Sequence, residues 1–311
     1  LDFVDQSGAT LLKHAIDENR VGLVDLLMSK GKDDVFKNNG VTPLVYAIEK
    51  GAHEAVVSAI LKNGGDINQQ DASGKTAFSI ALEAPDDTLV DLLLDQCPDF
   101  DTNKEGYKDP LGLFLGNIAN ELDRKHWDDG YFPEIEFNAK QLGVVELLLS
   151  KGAKINERGW HKHTPLTHAI EYFNVPLLKL LIDKGADINT IGYAGRSPLI
   201  YALKRYYPMY FWKMYGHQEL FDRTKKMFEI MMACEKIAVN DSKDKYTPLI
   251  RAIKSLNKDA VSVLLNNGAD VNGTDERGQP PLTWAIQCTR AQYAPQEAKE
   301  IMALLIDCKE L

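Results

Sequence analysis

The residues whose types and spacing could support chemistry are few. His161, His163 and His168 could assemble a metal site, because imidazole is a common zinc ligand, but no nearby Cys or carboxylate completes a tetrahedral set. Ser255-Leu-Asn-Lys258 matches the SxxK pattern of some acyl-transfer enzymes, yet it lies at the end of a predicted helix without supporting context. The acidic stretch 123–136 lacks the spacing of a calcium loop.

No Gly-rich phosphate loop, HExxH helix, nucleophile elbow or zinc-type Cys/His spacing occurs in the sequence. The sequence therefore predicts no catalytic residue, no metal site and no cofactor. Exposed turn histidines are the favoured interpretation of the cluster around His163.

The elements that would position any site are best seen in residues 163–189. Thr164 can cap a helix, because its hydroxyl accepts a hydrogen bond from an amide of the first turn. Pro165 suits the first helical position, where its missing N–H costs nothing. Pro176 opens a second, leucine-rich helix, and Gly185 supplies the left-handed residue that commonly ends a helix. This helix pair leaves an apolar face that needs a neighbour.

The neighbours are copies of the same unit. The motif Thr-Pro-Leu-x-x-Ala-Ile occupies 42–48, 164–170 and 247–253, with variants at 10–16, 76–82, 109–115, 197–203 and 280–286. The Leu or Phe at its third position recurs at intervals of 32, 34, 33, 55, 33, 50 and 33 residues. A closing Gly-x-x-Ile/Val-Asn element ends the units at 64–68, 152–156, 185–189 and 268–272. The pattern predicts eight stacked repeats.

With these motifs and this period, the chain resembles the ankyrin-repeat family over essentially its whole length. The resemblance implies an all-α solenoid of stacked helix-turn-helix units with short hairpin-like turns, forming one ankyrin-repeat domain over 1–311. The chain departs from the family at the position after Thr-Pro-Leu, where the family usually has His. That position holds Lys13, Val45, Ser79, Gly112, Thr167, Ile200, Ile250 and Thr283. The hydrogen bonds of the family His therefore cannot form.

Three insertions interrupt the period, at about 117–138, 206–223 and 287–295. Each is placed between the two helices of one repeat, in the fourth, sixth and eighth units. Insertions in repeat arrays map to loops on one face, which is often the binding face. The second insertion is rich in aromatic residues and begins Tyr206-Tyr-Pro-Met-Tyr-Phe-Trp212.

The resemblance implies a protein-protein interaction scaffold whose partners dock on the concave/turn face, formed by the turn tips and the exposed ends of the first helices. Interfaces are enriched in Trp, Tyr and Arg, and repeats five to seven concentrate these residues at those positions. The predicted partner-binding residues are Trp160, His161, His163, Tyr172, Tyr193, Arg196, Arg205, Trp212 and Tyr246. Packing against a neighbouring turn is the alternative for any single aromatic. The acidic early repeats are the alternative binding face.

Charge limits the class of partner. The net charge of −9 argues against nucleic acid, whose binding depends on neutralising phosphates. Residues 1–140 hold 13 Lys/Arg and 26 Asp/Glu, whereas residues 141–311 hold 23 and 19. This asymmetry could orient a charged partner, and a simply solvated surface is the alternative.

The sequence contains no secretory h-region and no apolar run long enough to span a bilayer. Its four cysteines lack paired or CxxC spacing, which favours a reducing, cytoplasmic location. Degenerate arrays of this style resemble those of effectors that intracellular bacteria secrete into the host cytoplasm. The alternative function is the recognition arm of a larger enzyme. The chain begins inside a turn and ends on the apolar helix 301–306, so we expect further protein at one or both ends.

Three turn asparagines each follow a Leu by eight residues, and they are Asn156, Asn189 and Asn272. This spacing resembles the substrate pattern of asparaginyl hydroxylases that modify ankyrin repeats. The same residues also build turns through side-chain hydrogen bonds, which is the structural alternative.

Overall fold

A computed structural model describes residues 9–31, 41–71, 75–83, 87–96, 109–126, 137–159, 162–192, 195–206, 218–240, 244–289 and 295–308. These residues form sixteen helices, and no strand occurs among them. The predicted all-α class is confirmed.

The chain divides into two compact units, each with four helix pairs. Unit 1 covers Leu1–Tyr131 and Asn138–Lys154, and unit 2 covers Phe132–Phe137 and Ile155–Leu311. The helices of unit 1 are α1 (Leu11–Asp17), α2 (Val21–Ser29), α3 (Pro43–Glu49), α4 (Glu54–Lys62), α5 (Ala77–Glu83), α6 (Asp87–Gln96), α7 (Pro110–His126) and α8 (Ala139–Ser150). Those of unit 2 are α9 (Pro165–Glu171), α10 (Val175–Asp183), α11 (Pro198–Arg205), α12 (Gln218–Met232), α13 (Pro248–Lys254), α14 (Lys258–Asn266), α15 (Pro281–Cys288) and α16 (Pro295–Asp307).

Stacking of like helices builds the core of each unit. In unit 1, α1, α3, α5 and α7 pack in series, and so do α2, α4, α6 and α8. In unit 2, α9, α11, α13 and α15 pack in series, while α10 packs on α12 and α14 on α16. Leu166, Leu181 and Val261 are almost completely buried, so the apolar face of each pair is covered by its neighbours.

The first helices begin where the sequence predicts. A threonine hydroxyl accepts the amide hydrogen of the residue three positions later in α3, α9 and α13, with Thr42–Val45 at 3.0 Å, Thr164–Thr167 at 3.2 Å and Thr247–Ile250 at 3.2 Å. Thr167 stands where the related family has His, and its hydroxyl accepts the amide hydrogen of Thr164 at 2.8 Å. A second threonine therefore closes the capping box that fixes this turn.

Asn156 and Asn189 of unit 2 tie their own turns to the next turn along the chain. The Asn156 side-chain oxygen accepts the amide hydrogen of Asp187 at 2.8 Å. The Asn189 oxygen accepts the amide hydrogen of Ala238 at 2.8 Å, and its side-chain nitrogen donates to the Lys236 carbonyl at 2.7 Å. These side-chain amides therefore bridge successive turns.

Backbone hydrogen bonds give three of these turns a hairpin-like form. The Gly159 amide donates to the His163 carbonyl at 3.0 Å, Gly192 to Arg196 at 2.8 Å, and Asp275 to Gln279 at 3.1 Å. The residue that starts each following first helix is thereby fixed relative to the turn before it.

The fourth-repeat insertion begins as helix. The spacing places this insertion from about residue 117, but α7 continues to His126. No Gly or Pro interrupts residues 117–126, and half of them are good helix formers, so nothing in the sequence stops the helix there. In the other two insertions, residues 218–223 form the start of α12, and residues 287–288 end α15. Residues 127–136, 207–217 and 290–294 lie outside the described part of the chain.

Candidate functional site

Four of the nine predicted partner-binding residues lie outside the described residues, namely Trp160, His161, Tyr193 and Trp212. The other five lie in three consecutive repeats of unit 2, and they are His163, Tyr172, Arg196, Arg205 and Tyr246. The first helices α9, α11 and α13 pack side by side, so they bring these five residues onto neighbouring repeats.

The fifth repeat contributes rings that pack on other rings. The His163 ring lies 5.5 Å from that of Tyr201 on α11, edge to face. The Tyr172 ring lies 4.6 Å from that of His168, four residues earlier on α9. Tyr172 is half-buried, so part of its ring is covered and part is open to a partner.

Arg205 joins the fifth and sixth repeats. Its guanidinium forms an ion pair with Glu171 at the end of α9. The same guanidinium carbon lies 5.5 Å from the centre of the Phe173 ring. Because two contacts hold the guanidinium, Arg205 is oriented before any partner arrives.

Arg196 joins the sixth and seventh repeats through a buried carboxylate. Its Nε lies 3.4 Å from Oδ1 of Asp244, whose side chain is only 8% exposed. Arg251 on α13 donates to the other oxygen of the same carboxylate. The pKa of the Lys204 ammonium on α11 is lowered, chiefly by burial. The guanidinium groups of Arg196 and Arg251 lower it further. Asp244 offsets this effect only in part.

Tyr246 joins the seventh and eighth repeats. Its ring meets that of Trp284 on α15 edge to face, with the centres 5.5 Å apart. The Lys254 ammonium nitrogen lies 4.7 Å from the centre of the Tyr246 ring, and Arg251 lies 5.1 Å from it. The tyrosine is therefore flanked by two cations and one indole.

Asp275 fixes the indole of Trp284. The indole Nε1 donates to Asp275 Oδ2 at 3.0 Å, and the amides of Arg277 and Gln279 donate to Oδ1 at 2.9 and 2.8 Å. Burial alone would raise the pKa of this carboxyl, but the hydrogen bonds from Gln279, Arg277 and Trp284 lower it below its usual range. The carboxylate form is thereby stabilised as an anchor for the ring.

Sequence reasoning left three residues of this surface out of its predicted set, namely Asp244, Arg251 and Trp284. Two of them had a signal in the repeat register. Arg251 and Trp284 occupy the fifth position of the repeated motif, where Tyr201 stands in the sixth repeat. Asp244 precedes its motif by three residues and had no such signal.

The SxxK pattern is structural. The Ser255 hydroxyl donates to the carbonyls of Arg251 and Ala252 in its own helix. The Lys258 ammonium lies 2.7 Å from a carboxylate oxygen of Glu300 on α16, and this hydrogen bond raises its pKa. A lysine acting as a base requires the opposite shift. In the described residues, no three His, Cys, Asp or Glu side chains converge as a metal site.

Unit 1 carries a smaller aromatic site. The Tyr46 hydroxyl donates to both carboxylate oxygens of Asp17, at 3.0 and 3.1 Å. The ammonium groups of Lys13 and Lys50 lie 5.4 and 5.6 Å from the centre of the Tyr46 ring. Burial, followed by the bond to Asp17, raises the pKa of Tyr46 to about 12. The phenol is therefore neutral and engaged at physiological pH.

The sequence matches a family model described as ankyrin repeats (3 copies), over residues 1–71, 136–210 and 217–309. A probable serine/threonine-protein kinase of Dictyostelium discoideum is 30% identical over 172 residues, which covers 54% of this chain and 18% of that protein. Rabankyrin-5 of Homo sapiens is 27% identical over 197 residues, which covers 52% of this chain and 16% of that protein. The chain thus spans less than a fifth of the length of either relative.

Among solved structures, the chain is similar to the ankyrin repeat domain of Bcl-3, described as a unique member of the IkappaB protein family. The two share 20% sequence identity with a TM-score of 0.46, over 96% of this chain and 99% of that one. In the part of the chain that the structure describes, no helix is long and apolar enough to cross a membrane.

Proposed function

The chain belongs to the ankyrin-repeat family, whose repeats generally mediate protein-protein interaction, and we propose that it is a non-enzymatic scaffold that binds a protein partner through repeats five to seven. The observation that carries the proposal is the continuity of contacts across these repeats. Arg205 contacts the fifth repeat from the sixth, Arg196 contacts the seventh from the sixth, and Tyr246 contacts the eighth from the seventh.

These contacts favour binding because they hold Tyr and Arg side chains in fixed positions. Interface hot spots are enriched in Trp, Tyr and Arg, and a side chain ordered in advance loses less conformational entropy on binding. Tyr172, Arg205 and Tyr246 are each half-buried, so they are both supported and accessible.

Site-specific photocrosslinking tests the location of the surface. A benzophenone amino acid replaces Tyr172 or Tyr246, and a control places it at Lys179, which is exposed on α10. We expect crosslinks to a partner protein from positions 172 and 246 but not from 179. Crosslinks from exposed Lys50 of unit 1 alone would move the binding face to the early repeats.

The tryptophans outside the described residues supply an affinity test. We expect Trp160→Ala and Trp212→Ala each to weaken partner capture by about tenfold or more, which corresponds to about 1.4 kcal/mol. Thermal unfolding of each variant serves as the folding control. Unchanged affinity in both variants would exclude these residues from the surface.

A second candidate function is the recognition arm of a larger enzyme. One relative is named as a probable kinase, and the chain spans only 18% of that protein. The full open reading frame decides between the candidates, because a catalytic domain beside the repeats would support the second. A role as a bacterial effector acting on a host protein, and a cytoplasmic location, stay predictions.

Asparaginyl hydroxylation also stays a prediction. Asn156 and Asn272 are exposed, but the Asn189 side chain is held by two hydrogen bonds to the next turn. A hydroxylase would have to break those bonds to reach it. Mass spectrometry after incubation with such an enzyme measures the added oxygen, and its absence at all three asparagines would remove the prediction.

A further inference from the structure

Four cations gather on the sixth and seventh repeats of unit 2, and we call this set the cationic face. Its members are Arg196, Lys204, Arg251 and Lys254. The rings of Tyr246 and Trp284 flank it on the side of the eighth repeat. All six residues lie on, or directly before, the first helices α11, α13 and α15, which pack in series.

The cationic face carries more positive than negative charge. One carboxylate, that of Asp244, pairs with both Arg196 and Arg251, so it balances only one of the two guanidinium charges. Within the described ranges, Lys204 and Lys254 form no ion pair. Burial lowers the pKa of Lys204 most, and the two guanidinium groups lower it further, while Asp244 acts in the opposite direction.

The same face is held in place before binding. Asp244 clamps two of its cations, and its side chain is 8% exposed. The Lys254 ammonium lies 3.6 Å from the centre of the Trp284 ring, which Asp275 anchors. A cation resting on a fixed ring loses less freedom when an anion binds than a mobile surface lysine does.

The spacing of the cations fits an extended peptide. Packed helices lie about 8–10 Å apart, and this sets the distance from the sixth repeat to the seventh. An extended chain rises about 3.3 Å per residue, so carboxylates two or three residues apart span about 7–10 Å. One acidic side chain can therefore meet Lys204 while another meets Lys254.

We propose that the cationic face binds an extended, Asp/Glu-rich segment of a partner protein. This inference rests on the proposed scaffold function and specifies the chemistry of its partner. A protein segment fits better than nucleic acid, because the chain has a net charge of −9 and the cations cover only two repeats. A nucleic acid strand presents a continuous row of phosphates that calls for a longer basic track.

Fluorescence anisotropy with the full chain tests the inference. The probe is a fluorescein-labelled peptide in which Glu alternates with Ser, compared with a peptide in which Gln replaces every Glu. We expect the Glu peptide to bind about tenfold tighter or more, and its affinity to fall as salt is added. Equal binding of the two peptides would overturn the inference.

Matched variants separate this face from general electrostatics. Lys204→Gln with Lys254→Gln should reduce affinity for the Glu peptide by about tenfold. Lys179→Gln with Lys226→Gln makes the same charge change at exposed positions on α10 and α12, and should leave affinity within about twofold. Equal losses in both pairs would overturn the inference. Circular dichroism melts of both double variants serve as the folding control.

Two further measurements test other occupants. The first measures the binding of a fluorescein-labelled oligothymidine. If it binds as tightly as the Glu peptide, and the Lys204/Lys254 variant loses that binding, the face binds nucleic acid instead. Self-association in sedimentation velocity that the same variant abolishes would replace the inference with a second copy of the chain. If the Glu peptide fails while position 246 still crosslinks to a protein, this inference fails and the proposed function stands.

Discussion

The Lys254 ammonium nitrogen lies 3.6 Å from the centre of the Trp284 indole ring, one repeat further along the chain. Tyr246 meets the same indole edge to face, and Asp275 accepts its N–H. A lysine, a tyrosine and a carboxylate from two repeats thus converge on one tryptophan. This convergence makes Trp284 the residue to change first.

Trp284→Phe keeps a ring beneath Lys254 but removes the hydrogen bond to Asp275. Because the acceptor is ionised, we expect the free energy of unfolding to fall by about 1.5–3 kcal/mol. Urea unfolding of Trp284→Phe, Asp275→Asn and the double variant measures the coupling of the two residues. Strictly additive losses would show that this bond does not contribute to stability.

Acid should weaken the same site. The pKa of Asp275 is lowered in the folded chain, so its contribution to stability is present above the ordinary Asp pKa of about 3.9 and is lost as pH falls through the lowered value. Unfolding free energy measured between neutral pH and about pH 3 should fall more steeply for the wild type than for Asp275→Asn. Parallel curves would contradict the prediction.

Asn189→Ala should loosen the junction between the fifth and sixth repeats. It removes two hydrogen bonds, to the Lys236 carbonyl and from the Ala238 amide, so we expect a loss of about 1–3 kcal/mol. Hydrogen exchange should show faster exchange of the Ala238 amide. Asn156→Ala removes the single inter-repeat bond shown for that residue, to the Asp187 amide, and should cost less.

Lys162→Gly should stabilise the chain. Lys162 is exposed and has a φ of 63°, in the left-handed region that is unfavourable for residues with a Cβ. Relief of that strain, less the extra entropy of Gly in the unfolded chain, should add about 0.5–1 kcal/mol. Lys179→Gly, inside α10, should instead destabilise by about 1 kcal/mol. A loss of stability in Lys162→Gly would contradict this account.

Leu181→Ala should cost about 2–5 kcal/mol, because Leu181 is fully buried in α10 and its truncation leaves a cavity. Leu180 is only half-buried, so Leu180→Ala should cost less. Chemical denaturation of both variants checks the order. If Leu181→Ala cost less than Leu180→Ala, Leu181 would not lie on the buried face of α10.

The regular features of the fold could be predicted from the sequence because they depend on local physics. Thr42, Thr164 and Thr247 begin helices through bonds within their own first turns, and the period shows which faces need a neighbour. The extension of α7 to His126 was not predicted, because the repeat period locates an insertion but does not show its secondary structure.

The candidate site was predictable only as a region. The positions of Arg196 and Tyr246 before their helices follow from the repeat register. Their partners Asp244 and Trp284 lie 48 and 38 residues further along the chain, and side-chain conformation decides whether such residues meet. The same limit applies to Lys204 and Glu171. The spacing of the repeats does not show that Arg196 and Arg251 lie near Lys204, or that Glu171 pairs with Arg205.

The asparagine bonds between turns of unit 2 have a direction. The side-chain oxygens of Asn156 and Asn189 accept hydrogen bonds from the later amides of Asp187 and Ala238. The Asn240 oxygen likewise accepts a hydrogen bond from the Asp270 amide at 2.7 Å. The ribosome makes each asparagine before the amide that will bind to it. At these three turns the acceptor therefore already exists when the next turn is synthesised, so the bonds can form in the order of synthesis.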